Sequence, residues 1–299
     1  MDSIPYDPIR EDPAKDPDFP ATMHGCVFRV TYAPENGEQR LFGIAYLPGG
    51  RGPHPCILLL HGFPGNEKNL DLAQMLRRAG CTVVQFHYRG CWGSDGEYSF
   101  EHVLEDVRSV VTLLRTPEWR ERLRIDPERF VLMGHSLGGF ASLMTGASVP
   151  EIRAVCSIAG YDLGAVASLL KNDPGDAYGI RAMFRDSVLP LKGTSDGILL
   201  REVERHGATW NVCGHASSFA GKNVLLVCAL RDSTSIPEFH HRPLVAALAA
   251  HGANVSEETF DEEHGFDSGR LELGDAVLRW MRRSGIVRAQ GDFRRKGHS

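Results

Sequence analysis

A serine between closely spaced glycines has the sequence setting of a nucleophile. The segment Gly134-His135-Ser136-Leu137-Gly138 directly follows the apolar run 129–133 and leads into the small-residue run 141–147, which has a helical pattern. A serine on so tight a strand-to-helix turn adopts a strained backbone, and glycines two positions on either side remove the side chains that would crowd it. The helix amides that follow favour developing negative charge. The pattern predicts that Ser136 is a nucleophile.

Two later residues could activate that hydroxyl. Asp232 follows the apolar run Asn223–Ala229, and His264 follows the next β-rich run, Asn254–Phe260. A serine hydroxyl needs a base at neutral pH, and an imidazole base needs an anionic partner that fixes its tautomer. Both residues come directly after predicted parallel strands, where the sites of open α/β sheets lie. We therefore expect His264 to be the general base and Asp232 its partner.

A second motif predicts the donors of an oxyanion hole. The segment His61-Gly62-Phe63-Pro64-Gly65 ends another apolar run. Of the two backbone donors such a hole needs, one belongs to the residue after the nucleophile, Leu137, and the other comes from a loop of this kind. We expect Phe63 to supply it, because Pro64 has no N–H and favours an extended Phe63. His61 is interpreted as a loop-stabilising residue rather than a base.

Short β-rich runs alternate with amphipathic helical patterns along most of the chain. The predicted strands are Cys26–Tyr32, Leu41–Leu47, Pro55–Leu60, Thr82–His87, Arg129–Gly134, Arg153–Ile158, Asn223–Ala229 and Asn254–Phe260. The predicted helices are Leu70–Ala79, Phe100–Arg115, Leu137–Ala147, Pro237–Ala250 and Ser268–Ser284. The first two strands flank the turn Asn36-Gly37 and predict an antiparallel ribbon, whereas the others predict parallel strands with helical crossovers. The predicted fold class is therefore α/β, with a mostly parallel, doubly wound sheet of eight strands.

The domain organisation follows from where this alternation stops. Residues 161–221 hold glycine, proline and charge but no clean strand, so we interpret them as a helical cap inserted between two parts of one core, 25–160 and 222–285. Residues 1–24 are expected to form an acidic, proline-rich arm, and residues 286–299 a basic solvated tail.

These motifs resemble those of serine hydrolases with the α/β-hydrolase fold, and in particular the dienelactone-hydrolase and prolyl-oligopeptidase-like group. The resemblance covers roughly residues 25–285 and includes the chain order Ser136, Asp232, His264. It also includes His87-Tyr88-Arg89-Gly90, which is similar to a structural loop of such hydrolases. It implies the α/β-hydrolase fold and a Ser-His-Asp triad.

The resemblance leaves one position and one activity open. Several lineages of this fold place the acid after the sixth strand, where Asp162 lies, so Asp162 is an alternative to Asp232. Dienelactone hydrolases carry a cysteine nucleophile where this chain has Ser136, and we expect no propeller domain of the kind that precedes the hydrolase in a true prolyl oligopeptidase. Neither group's specific activity is therefore carried over.

Composition excludes several other classes. The 299 residues carry a net charge of −5 with no broad basic patch, which argues against a nucleic-acid partner. The apolar runs, such as Cys56–Leu60, are too short to span a membrane, and the start of the chain does not resemble a signal peptide. The seven cysteines are never spaced C-x-x-C. We expect a cytoplasmic protein with no cofactor and no metal; a homo-oligomer is compatible with the sequence.

The combined pattern predicts hydrolysis of a carboxylic ester through an acyl-enzyme intermediate. A peptidase or amidase acting on a short peptide or amide is the alternative at the same site, and a non-catalytic binding relative is the third hypothesis. Trp210, a large aromatic in the predicted cap, is expected to contact the small-molecule substrate.

Overall fold

The computed structural model describes residues 18–33, 37–172 and 174–287. Its strands are β1 (Thr22–Thr31), β2 (Glu38–Leu47), β3 (His54–Leu60), β4 (Thr82–Phe86), β5 (Ile125–His135), β6 (Ala154–Ile158), β7 (Asn223–Ala229) and β8 (Asn254–Phe260). These described strands form one sheet in the order β1-β2-β4-β3-β5-β6-β7-β8. The ribbon of β1 and β2 is antiparallel, β2 joins β4 antiparallel, and the remaining pairs are parallel. The predicted α/β fold class with eight strands is confirmed.

Helices cover both faces of the sheet. They are α1 (Leu70–Arg78), α2 (Phe100–Leu114), α3 (Pro117–Arg122), α4 (Leu137–Ser148), α5 (Leu163–Asn172), α6 (Pro174–Ser187), α7 (Asp196–His206), α8 (Pro237–His240), α9 (Arg242–Ala250) and α10 (Arg270–Arg283). On β3, Ile57 and Leu59 pack into the core shared with α1 and α10, while Leu58 and Leu60 pack into the core shared with α2, α4 and α9. Burial on both faces explains why this strand reads as a continuous apolar run.

Several elements differ from the sequence predictions, and among them β1 and β2 begin at Thr22 and Glu38, ahead of their predicted starts. The single helix expected over Pro237–Ala250 is wrong, because the chain breaks at His241 into α8 and α9. Pro243 lies in the first turn of α9, where its missing N–H is tolerated but a continuing helix is not. Strand β5 begins at Ile125, ahead of the predicted start, and α3 was not predicted.

A buried charge network fixes the loop that follows β4. Arg89 is held by Asp106 and Glu105 on α2, with nitrogen-to-oxygen distances of 2.6 Å to each carboxylate. Its guanidinium also lies 3.5 Å from the ring centroid of Tyr32, just after β1. The loop that resembles a hydrolase motif therefore joins three elements, which agrees with its interpretation as structural.

The segment between β6 and β7 consists of α5, α6, α7 and a 3₁₀ helix, Val212–Phe219. It docks on the core through Glu202, whose carboxylate accepts hydrogen bonds from the amides of Phe100 and Glu101 at the start of α2, at 2.9 and 2.7 Å. The segment coincides with the insertion expected over 161–221, and its role as a cap stays a prediction.

The predicted ends of the chain are only partly covered. Residues 1–17 of the arm and 288–299 of the tail lie outside the described residues, as does Asn36 of the predicted turn. None of the helices in the described part of the chain combines the length and the apolar character needed to cross a bilayer.

Candidate active site

Ser136 occupies the sharp turn between β5 and α4 that its sequence setting predicts. Its backbone angles are φ 56° and ψ −123°, in the region that non-glycine residues avoid. Two hydrogen bonds hold this strained residue in place, from its own amide to the carbonyl of Ile158 (2.9 Å) and from the amide of Tyr161 to its carbonyl (3.0 Å). The adjacent strand β6 and the chain beyond it therefore brace the turn.

The flanking glycines are required by close backbone contacts. A Cβ on Gly134 would lie 2.2 Å from the carbonyl carbon of Gly138, and a Cβ on Gly138 would lie 2.2 Å from the carbonyl oxygen of Leu60. Neither distance is possible for a real side chain, because backbone atoms of rigid elements cannot give way. The spacing of glycines around Ser136 thus has the steric cause expected from the sequence.

Asp232 and His264 form a hydrogen-bonded pair at the ends of β7 and β8. The Nδ1–H of His264 donates to Oδ2 of Asp232 at 2.7 Å. The other carboxylate oxygen, Oδ1, accepts from the amides of Thr234 and Ser235 at 2.7 and 2.8 Å. Because Nδ1 donates to the carboxylate, the lone pair of the neutral imidazole is on Nε2. This is the tautomer in which a histidine can accept a proton from a serine hydroxyl.

The environment of Asp232 keeps its carboxylate ionised. Its side chain is 1% exposed. Burial raises the pKa of this carboxyl, but the hydrogen bond and charge of His264 and the amides of Ser235 and Thr234 outweigh it and hold the pKa below its ordinary value. A fixed negative charge beneath the imidazole stabilises the imidazolium that forms when His264 takes up a proton.

His135 connects the pair to the serine turn. Its ring centroid lies 4.6 Å from that of His264, and its Nε2–H donates to the carbonyl of His264 at 2.8 Å. His135 immediately precedes Ser136. The loop that carries the candidate base is therefore tied to the residue next to the candidate nucleophile. Burial lowers the pKa of His135 to about 3, so this imidazole is neutral.

The loop after β3 lies against Ser136. A Cβ on Gly62 would lie 3.1 Å from Cβ and 3.6 Å from Oγ of Ser136. The Phe63–Pro64 peptide is cis. Within the described residues, the amides of Phe63 and Leu137 donate no hydrogen bond, so both are available to an oxyanion. Their predicted role as donors fits this placement and stays a prediction.

His61 has the loop-stabilising contacts expected of it. Its Nδ1–H donates to the carbonyl of Gly62 at 2.8 Å, and its ring lies 4.3 Å from that of Tyr88, centroid to centroid. The hydroxyl of Tyr88 donates to the carbonyl of His61 at 2.9 Å. Burial lowers the pKa of His61 to about 3.

The competing carboxylate, Asp162, makes different contacts. Its oxygens accept hydrogen bonds from three amides, those of Gly164 (2.7 Å), Ala165 (3.2 Å) and Val212 (3.1 Å). Burial raises its pKa against the opposing effect of these amides. Asp162 thus holds the start of α5 and the 3₁₀ helix together, and among the described residues His264 pairs with Asp232.

Trp210 lies in the protein core. It is 5% exposed, stacks on His206 with ring centroids 4.6 Å apart, and meets Phe140 of α4 edge to face at 6.2 Å. These contacts explain its position by packing alone. Substrate contact by Trp210 stays a prediction.

Two histidines near the candidate pair escaped the sequence analysis. His135 was passed over, although its place before the serine is a signal in itself. His240 is the other, since it is 5% exposed and stacks on Tyr161 with ring centroids 4.9 Å apart. The amide of Asp162 donates to its Nδ1 at 3.1 Å. No sequence signal brings His240 to the site, because these contacts join elements far apart in the chain.

Within the described ranges, no cluster of three or more histidine, cysteine, aspartate or glutamate side chains has the arrangement to hold a metal ion.

A family match and several partial relatives were found for the sequence of this chain. The profile described as "Alpha/beta hydrolase family" matches residues 57–267, from β3 to beyond His264. An uncharacterised 31.7 kDa protein from the traX-finO intergenic region of Escherichia coli is 30% identical over 122 residues, which are 40% of this chain and 42% of that protein. The chain matches less than half the length of the curated relatives compared.

Solved structures share the fold at low sequence identity. A puromycin-hydrolysing peptidase of Mycobacterium tuberculosis has a TM-score of 0.64 at 18% identity, over 90% of this chain and 40% of that one. The esterase Pf2001 of Pyrococcus furiosus has a TM-score of 0.61 at 19% identity, over 90% and 92% of the two chains.

Proposed function

The chain belongs to the alpha/beta hydrolase family, and from that premise we propose that it is a serine hydrolase that cleaves a carboxylic ester with Ser136, His264 and Asp232. The observation that carries the proposal is the left-handed backbone of Ser136, at φ 56°, on the strand-to-helix turn. Backbone strain at a non-glycine residue persists only where the surrounding structure enforces it, and a serine on such a turn presents its hydroxyl above the sheet.

The proposed reaction begins with proton transfer from Ser136 to His264. The hydroxyl oxygen attacks the ester carbonyl carbon as Nε2 of His264 takes its proton. The carbonyl oxygen becomes an oxyanion that accepts hydrogen bonds from the amides of Phe63 and Leu137. Asp232 stabilises the imidazolium throughout.

Collapse of this tetrahedral species completes acylation. The bond to the leaving alcohol breaks, and the imidazolium of His264 returns its proton to the alcohol oxygen. A water molecule then gives a proton to His264 and attacks the acyl carbon, and the second collapse frees the carboxylic acid and restores the Ser136 hydroxyl.

An ester is the preferred substrate because an alcohol leaves more readily than an amine. The same residues could also cleave an amide, and the fold is shared by an esterase and by a peptidase in the solved structures above. The proposal therefore makes two claims, that Ser136 is the nucleophile and that the leaving group is an alcohol. Each claim needs its own measurement.

A fluorophosphonate probe tests the nucleophile. We expect covalent labelling of the full chain and its loss in Ser136→Ala, with turnover reduced by about 10⁶-fold. Ser218→Ala, which changes an exposed serine, is the matched control and should label as the unaltered protein does. Labelling that survives in Ser136→Ala would assign the nucleophile to another residue.

A substrate panel tests the leaving group. We expect p-nitrophenyl esters to turn over much faster than aminoacyl p-nitroanilides. The reverse ranking would replace the esterase by the peptidase or amidase alternative, and no turnover of either class together with no labelling would favour the non-catalytic hypothesis.

A further inference from the structure

A cavity opens beside β2 and the carboxyl ends of β3 and β4. It has a volume of about 320 Å³. Its apolar wall includes Phe42, Ile44, Tyr46 and Leu59. A mainly apolar hollow of this size with a few polar groups is typical of a site for a small organic molecule. None of the residues that we place in the catalytic site lines it.

One polar group in this wall lacks a partner. His61 lines the cavity, is 4% exposed, and its Nε2 has no hydrogen-bond partner among the described residues. Nδ1 of the same ring must carry the proton, because it faces the carbonyl oxygen of Gly62, which can only accept. The remaining nitrogen, Nε2, is therefore a buried acceptor that needs an O–H or N–H donor.

A second imidazole lies beside it. The ring of His87 is 5.4 Å from that of His61, centroid to centroid, and its Nδ1 is also buried without a partner among the described residues. Burial lowers the pKa of His87 to about 4. Both imidazoles are therefore neutral at physiological pH, and this side of the cavity recognises a polar, uncharged group.

A positive charge stands at the same cavity. Lys68 lines it, and its ammonium lies 5.0 Å from the ring centroid of Trp92. Within the ranges that the structure describes, Lys68 forms no ion pair with a carboxylate. An ammonium without a carboxylate partner beside an apolar hollow favours an anionic group on the ligand.

We propose that this cavity binds a hydroxylated carboxylic acid with an apolar body. The hydroxyl donates to Nε2 of His61, the apolar body lies against Phe42 and Ile44, and the carboxylate pairs with Lys68. The site is distinct from Ser136, because Gly62 packs against Ser136 while the preceding residue, His61, lines the cavity. The site exists whether or not Ser136 is a nucleophile.

The test uses three matched probes and isothermal titration calorimetry on the full chain. 4-Hydroxyphenylacetate carries both polar groups, phenylacetate lacks the hydroxyl, and 4-hydroxyphenylacetamide lacks the negative charge. We expect each deletion to weaken binding by about tenfold, which is typical of leaving one buried polar group or one charge unpaired. Equal affinity for all three probes, or no binding of the first, would overturn the proposal.

Variants locate the bound probe. Lys68→Met should weaken binding of 4-hydroxyphenylacetate by about tenfold and leave the acetamide unaffected, because only the charge pair is lost. Lys171→Met changes an exposed lysine outside the cavity and should change neither affinity. Unaltered binding in Lys68→Met would contradict the assignment of the carboxylate.

A cavity-filling variant separates this site from the catalytic one. Ile44→Trp should abolish binding of 4-hydroxyphenylacetate while fluorophosphonate labelling stays at its unaltered level, since Ile44 lies outside the proposed machinery. Full binding in a folded Ile44→Trp protein, checked by circular dichroism, would place the probe elsewhere and refute the site. If this variant does not fold, the Lys68→Met result decides. Labelling tests only the proposed function, so either proposal can fail alone.

Discussion

Replacing Asp232 or Asp162 by asparagine tests which of the two carboxylates orients His264. In Asp232→Asn, the amide oxygen can keep the hydrogen bonds from Thr234 and Ser235, which turns the NH₂ group towards His264. Nδ1 of His264 must then accept, so the ring proton moves to Nε2 and the lone pair that would receive a proton is lost. A wrong tautomer of this kind lowers kcat by about 10⁴-fold, or about 5 kcal/mol in the activation free energy.

The matched change Asp162→Asn should have the opposite profile. With its amide oxygen in the Oδ1 position, Asn keeps the two hydrogen bonds from Gly164 and Ala165, and the amide of Val212 then faces an NH₂ group. The lost bond and the unpaired amide should lower the free energy of unfolding by about 1–3 kcal/mol. His264 keeps its partner in this variant, so we expect kcat to change by less than about tenfold.

Two measurements on both variants decide between the aspartates. Initial rates with p-nitrophenyl butyrate give kcat, and urea denaturation followed by circular dichroism gives the free energy of unfolding. We expect a folded, inactive Asp232→Asn and an active, less stable Asp162→Asn. A crippled Asp162→Asn beside an active Asp232→Asn would refute the tautomer argument and move the acid to the end of β6.

Further outcomes follow from close contacts and burial. Gly62→Ala should lower kcat by about 10- to 100-fold with esters, since its methyl would crowd the Ser136 side chain, whereas Gly25→Ala, which meets no atom within 4 Å, should be silent. Trp210→Ala should lower the free energy of unfolding in urea by about 3–5 kcal/mol because the indole is buried; an added selective loss on bulky aryl esters would support substrate contact. Three buried histidines, His61, His135 and His240, have pKa values lowered to about 3, 3 and 4 in the fold, and the pKa of the partly exposed His87 is lowered in the same direction. The free energy of unfolding is therefore highest above the unfolded histidine pKa of about 6.5 and falls by about 4 kcal/mol by pH 5.5, because only the unfolded chain takes up these protons. An unchanged urea midpoint between pH 7 and pH 5.5 would contradict the burial of these imidazoles.

The parts of the site that sequence predicted are those with local causes. The glycines on either side of Ser136 are needed because side chains there would clash with nearby backbone, and this local requirement let the sequence predict the turn. The strands were visible because β3 and its neighbours are buried on both faces. The break at His241 also has a local cause, which is Pro243. The helical spacing of the surrounding apolar residues nevertheless predicts one continuous helix.

The parts that sequence missed depend on contacts between distant elements. His135 and His264 meet because β5 and the loop after β8 end at the same edge of the sheet. The local sequence of neither segment predicts this contact. Trp210 illustrates the same limit for the insertion. From the sequence, a large aromatic residue in the insertion could line a pocket or belong to the core. Its packing on Phe140 and His206 becomes apparent only in the structure.

The sheet order explains why two aspartates competed for one role. Strands β5, β6, β7 and β8 are consecutive neighbours, so Ser136, Asp162, Asp232 and His264 all emerge at one edge. Position after a strand therefore brings both carboxylates near the site, and the backbone amides around each one distinguish them. Asp162 shares both oxygens among three amides, whereas Asp232 binds two amides through Oδ1 and leaves Oδ2 to His264. The strand that a carboxylate follows therefore does not separate the two candidates, whereas the hydrogen bond from Nδ1 of His264 to Oδ2 of Asp232 does.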